Sequence, residues 1–125
     1  MARPPSDVTE AELAVMERLW AEGPLAMKAI AEALYGDSSP SSTSTVQKLL
    51  SRLEQKGCVR RDRDQWPHRF TAAIDKETVT ARRLQDTADQ LYDGSLTPLL
   101  THLVTHGRLT SKDRARVAKL LDELK

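Results

Sequence analysis

The chain has 125 residues, 39% of them hydrophobic, 30% charged and only 4% aromatic, with a formal charge of +1. That suits one soluble, helix-rich globular domain with room for a small appendage, whose core is built mainly from Leu, Val, Ile and Ala. A single cysteine, Cys58, excludes an intramolecular disulfide and a Cys-based metal cluster, and no apolar run approaches the roughly 20 residues that span a bilayer.

The opening "MARPPSDV" lacks the apolar stretch of a secretory leader, so a cytoplasmic protein without direct membrane binding is expected. Thr9 and Glu12 then have the spacing of a capping box, and Val8 and Leu13 that of a hydrophobic staple. Leu13, Met16, Leu19 and Trp20 follow on one helix, about 10–22, which Gly23-Pro24 stops. A second helix is expected at about 26–35, with Leu25, Ala29, Ile30, Ala33 and Leu34 as its apolar side and Gly36 at its end.

Residues 38–45, "SSPSSTST", look like a linker at first sight. Val46, Leu49, Leu50 and Leu53, however, recur at i, i+3, i+4 and i+7, so a third helix is predicted over 42–56, with Ser39-Pro40 as a turn before it. Gly57 is placed to cap its C-terminus. Segments 58–62 and 68–73 flank a polar "RDQWP" tip and read as a small antiparallel hairpin, with Val59 and Phe70 as inward anchors. At the tip, Trp66-Pro67 either reaches toward a groove or packs back on the body.

Three further helices complete the chain. Asp75 caps one running to about residue 92, with Val79, Leu84, Ala88 and Leu91 on one side. Ser95 is expected to cap the next, and Thr110 the last. The fold class is therefore mainly α with a small β-hairpin: a winged helix-turn-helix at 1–74, then a helical region at 75–125. Leu91, Leu96, Leu99, Leu100, Leu103, Val104, Val117, Leu120, Leu121 and Leu124 make apolar faces that such short helices cannot bury alone. A second copy of the chain is the expected cover.

Charge is unevenly spread. Residues 41–70 hold seven basic groups against three acidic ones, a net of +4, which leaves −3 for the remainder. With the apolar stripe inward, the third helix turns Ser44, Gln47, Lys48, Ser51 and Gln55 outward, with Arg52 at one edge. These side-chain types read base edges in the major groove, and the N-terminal end of such a helix is the part that enters. Any surface helix has a polar face. Arg60, Arg61, Arg63, His68 and Arg69 on or beside the hairpin tip, where a wing straddles phosphates, favour DNA.

Four segments, "VTEAELAVMERLWAEGPLAMKAI", "STVQKLLSRLEQKGCV", "HRF" and "LYDGSLTPLLTHLVTHGRLT", resemble the penicillinase-repressor family of bacterial winged-helix regulators over nearly the whole chain. The resemblance implies a homodimer that represses genes from a palindromic or pseudo-palindromic operator. By position it puts recognition-helix contacts on Ser42, Thr43, Ser44, Thr45, Gln47 and Lys48. The family often has Lys at the place of Ser44 and Arg at that of Gln47.

Antibiotic-responsive members work with a membrane metalloprotease receptor and carry a scissile Asn-Phe pair, where this chain has His102-Leu103. Copper-responsive members carry a Cys-x-Cys pattern, and the tail here reads "LLDELK". Two alternative readings are a metal-responsive regulator using His102 and His106, an i, i+4 pair, and a winged helix that binds another protein. No nucleophile elbow or phosphate loop is present, so neither catalysis nor a cofactor is expected.

Overall fold

The computed structural model describes residues 8–124. The first seven residues, on which the absence of a secretory leader was read, lie outside the described residues. Within them the order is α1 (Glu10–Glu22), β1 (Leu25–Ala26), α2 (Met27–Tyr35), α3 (Pro40–Gln55), β2 (Val59–Asp62), β3 (Arg69–Ala72), α4 (Lys76–Leu91), α5 (Thr97–His106) and α6 (Ser111–Glu123). The fold is mainly helical with a small antiparallel sheet in the order β1-β3-β2, as a winged helix requires. The chain divides into two compact units between Arg82 and Arg83. None of the described helices is long and apolar enough to cross a membrane.

The Thr9–Glu12 capping box forms: the Glu12 amide donates to Thr9 Oγ1 at 3.2 Å, and the Thr9 amide donates to Glu12 Oε1 at 2.9 Å. β1 was not foreseen. Two residues carry no periodicity, and only their pairing with β3, Leu25 opposite Phe70 and Ala26 opposite Arg69, makes them a strand. α2 turns its apolar side differently from expectation. Ile30 and Ala31 are buried with Met27 and Leu34 packed beside them, whereas Ala29 and Ala33 are exposed. Residues 27, 30, 31 and 34 follow the helical repeat, and Met and Leu have more apolar surface to hide than two alanines.

α3 begins two residues earlier than predicted. Ser39 is its N-cap, with the Ser42 amide donating to Ser39 Oγ at 3.2 Å, and Pro40 takes the first turn, where its missing N–H costs nothing. The Ser39-Pro40 pair is thus the helix start and not a turn before it. At the other end Cys58 N–H donates to the Leu53 carbonyl at 2.8 Å and Gly57 N–H to Glu54 at 3.0 Å. This double closure needs the left-handed backbone at Gly57, φ +76°.

The core of the first unit is one cluster. Val15, Met16 and Leu19 of α1, Ile30 and Ala31 of α2, and Val46, Leu49, Leu50 and Leu53 of α3 meet Cys58, Val59, Phe70 and Val79. Burying a leucine of this kind stabilises by about 1.5–3 kcal/mol. Trp20 Nε1 donates to the Ile74 carbonyl at 2.9 Å and ties α1 to the chain leaving the sheet.

In the second unit Thr110 caps α6 as expected, in a capping box with Asp113. Ser95 does not cap α5; the N-cap is Leu96, with no side-chain bond. Asp93 and Gly94 both have positive φ, and Leu96 is already helical. The chain therefore coils into α5 without the extended residue from which a serine hydroxyl reaches the first amides. Leu84, expected with Val79 and Ala88 on one side of α4, is about half exposed.

Candidate nucleic-acid interface

α3 has two unlike faces. Val46, Leu50 and Leu53 are sealed in the core. On the far side Ser44, Gln47, Lys48, Ser51, Arg52 and Gln55 line one shallow depression of about 450 Å³, and each of the six is exposed. The leading hydroxyls divide by role. Thr43 Oγ1 donates to the Ser39 carbonyl at 2.6 Å and Thr45 Oγ1 to that of Ser41 at 3.1 Å. Ser42 sits half-buried against the Ser39 cap. Thr43 and Thr45 thus spend their hydroxyl protons on the helix's own backbone and Ser42 meets the Ser39 hydroxyl, while Ser44, Gln47, Lys48, Ser51 and Arg52 stand in solvent as one donor-rich surface.

The wing follows at once. β2 and β3 pair Val59 with Ala72, Arg60 with Thr71, Arg61 with Phe70 and Asp62 with Arg69. Val59 and Phe70 face the core, as expected. The basic residues do not all point the same way. Arg60, Arg63 and Arg69 are exposed. Arg61 turns back: its guanidinium donates to Glu54 Oε1 at 2.9 Å and lies 4.9 Å from the Phe70 ring centroid. Arg63 lies more loosely beside the same carboxylate, at 3.9 Å, with 68% of its side chain in solvent. His68 is half-buried and meets Trp66 edge-on, the ring centroids 5.0 Å apart. Trp66 does not pack on the body of the unit: 85% of it is exposed.

Two anchors were not legible in the sequence. Glu54 holds the wing to the last turn of α3 through Arg61. Glu12, read only as a capping residue, also accepts from Lys56 Nζ, and its side chain has no exposed surface. Burial alone pushes the Glu12 carboxyl up; the bonds from Lys56 and Thr9 outweigh it and hold the group below its ordinary carboxylate value. A charge this deep is stable only with its partner, so the pair fixes the C-terminal end of α3 against the start of α1. The only sequence signal was two polar residues of opposite charge 44 positions apart, which is no signal. Cys58 is buried beside them, and burial pushes its thiol up, leaving it a protonated core residue.

Beyond Arg83 the picture reverses. Leu96, Leu100, Leu103 and Val104 of the α5 segment are each between 43% and 49% exposed, Leu120 and Leu121 each 51%, and Leu91 and Leu124 more so. Leu99 and Val117 are half-buried. His102 and His106 stand one turn apart with ring centroids at 5.2 Å. Among the described residues they belong to no group of three metal-binding side chains.

The family model described as penicillinase repressor matches residues 8–123, nearly the full chain. No curated protein matches closely enough to add a relative. The chain belongs to the penicillinase repressor family, whose members are transcriptional repressors that bind DNA through a helix-turn-helix.

Proposed function

From that membership we propose that the protein is a homodimeric repressor that grips a palindromic or pseudo-palindromic operator with two winged units. Residues 1–74 form the DNA-binding domain and residues 75–125 join the two chains; the protein acts in the cytoplasm, where its operator lies. α3 enters the major groove. Gln47 and Lys48 meet base edges, Ser44, Ser51 and Arg52 flank them, and the Ser42, Thr43 and Thr45 turn approaches the backbone with the helix N-terminus toward a phosphate. Arg63, Arg69 and His68 face phosphates from the wing, and Arg61 sets the wing's angle through Glu54.

The observation that carries this reading is the two-sidedness of α3. Its apolar stripe is locked in the core, and its opposite side is a continuous exposed donor surface beside exposed arginines. Positive charge here is lower than a Lys at position 44 and an Arg at position 47 would give, so the operator follows this chain's own pattern. Dimerisation rests on the half-exposed leucines of α5 and α6, which one chain leaves in water. A membrane metalloprotease receptor forms no part of the proposal, because His102-Leu103 stands where the scissile pair of antibiotic-responsive relatives falls. The test is selection from a duplex library followed by titration across salt. Each phosphate contact removes about 0.9 from the slope of log K against log salt; binding that ignores salt, or no binding, defeats the proposal.

A further inference from the structure

Trp66 is the most exposed large apolar side chain of the molecule's described residues, and His68 meets it only edge-on. Hydrophobic side chains scattered on a surface need no explanation, but an indole in water at the tip of a cationic hairpin has much to gain from a partner. Pro67 beside it is exposed as well, and the His68 ring braces the indole edge-on. A cleft of about 590 Å³ opens between this tip and the body. Its lining takes Trp66, Pro67 and His68 from the tip, Arg61 and Phe70 from the strands, Thr43 and Gln47 from α3 and Lys28 from the first turn of α2.

We infer that Trp66 and Pro67 form an apolar wedge that enters the minor groove, while the cleft takes the sugar-phosphate strand separating that groove from the major groove held by α3. The inference rests on the DNA-binding reading and names the contact that the charged residues cannot make. In B-DNA one backbone strand divides a major groove from the next minor groove. Gln47 and Trp66 line one cleft, so on this inference a strand running through it leaves α3 on the major-groove side and the tip on the minor-groove side. Lys28 and His68, which both line the cleft, suit a phosphate in it. The indole and the proline ring suit deoxyribose and the edges of a partly unstacked step.

Two consequences follow. The wedge adds affinity without adding ion release, since an indole neutralises no phosphate. It also favours flexible pyrimidine–purine steps at the positions under the wing, outside the bases met by α3.

The test uses the full chain labelled with 5-fluorotryptophan. Trp20 and Trp66 are its two tryptophans, and the resonance missing in Trp66→Phe identifies Trp66. In the free protein that resonance moves strongly between H2O and D2O, as an exposed ring does, and Trp20 moves little. On saturation with a library-selected duplex the Trp66 solvent shift falls by more than half. Trp66→Ala weakens binding by about tenfold, in the range of aromatic stacking on bases, with an unchanged salt slope, and Trp66→Phe recovers most of it. If the duplex binds with the usual salt dependence while Trp66 keeps its full solvent shift, or if Trp66→Ala binds like the parent, the wedge is overturned and the repressor reading stands. If no duplex binds in a salt-sensitive way, the repressor reading falls first and takes the wedge with it.

Discussion

Leu50 of α3 and Leu100 of α5 sit on apolar stripes of similar quality, yet Leu50 has no exposed surface and Leu100 keeps 43% of its own. In the first unit three helices, a strand pair and the start of α4 close around one cluster whose side chains find cover within the chain, while Tyr35 and Trp66 stay exposed. From Arg83 onward, Ala88 is the only apolar side chain among the described residues that is buried outright. Periodicity identifies an apolar face; it does not say whose surface covers it. The first unit covers its own core and exposes a polar face on α3, whereas the second exposes an apolar face; on the proposed reading the first meets DNA and the second meets its own copy.

The contrast is open to attack from both sides. Leu100→Asp places a charge in the proposed dimer face, and an unpaired charge there costs roughly 3–5 kcal/mol of association. Sedimentation is expected to show monomers with unchanged helix content, and binding to a full palindrome drops while a half-site is still held weakly. Leu50→Ala strikes the closed unit instead. A fully buried leucine lost from such a core costs about 2–5 kcal/mol, read as a lower urea midpoint independent of protein concentration. Equal effects of the two changes on fold and on association would erase the comparison.

Glu12→Gln is expected to cost about 1.5–3 kcal/mol at neutral pH, the worth of charged hydrogen bonds. Its pH dependence is more telling. The folded-state Glu12 carboxyl lies below its ordinary value. Its stabilisation is therefore complete above the unfolded-state pKa and is lost as pH falls through the lower, folded-state value. Urea midpoints of the parent should fall across that acid window more steeply than those of Glu12→Gln. Parallel curves would mean the carboxyl and Lys56 are not paired in solution.

Within the DNA face the expected effects are smaller and differ in kind. Lys48→Ala should cost about 1–3 kcal/mol on the best duplex and relax base preference at one position. Arg63→Ala, which also loses its loose contact with Glu54, should weaken all duplexes alike by under about 1 kcal/mol and reduce the salt slope by about 1. Anisotropy titrations against a matched and a scrambled duplex separate the two.

Much of the fold was legible because the signals are local. The capping box at Thr9, the cap at Thr110, the Val46–Leu53 stripe and the Val59 and Phe70 anchors are each signalled by nearby residues. What escaped reading is what depends on distant chain. β1 exists only through Phe70 and Arg69. The side of α2 that is buried is chosen by the core it meets. The Glu12–Lys56 pair spans 44 positions, and Arg61 bears the same formal charge as Arg63 but is turned inward by Glu54 and Phe70. Composition counts charges in the wing; only the strand register with its neighbours says which of them face out.

On the proposed reading, two copies of the α3 face read one DNA site together. Hydroxyl-radical footprinting of the protein on a library-selected duplex tests it directly. Two protected patches related by a dyad are expected, their centres one helical turn or a multiple of it apart, about 10 base pairs per turn, and both lost together in Leu100→Asp at concentrations that saturate the parent. A single asymmetric patch that survives Leu100→Asp unchanged, or protection that does not weaken with salt, would contradict it.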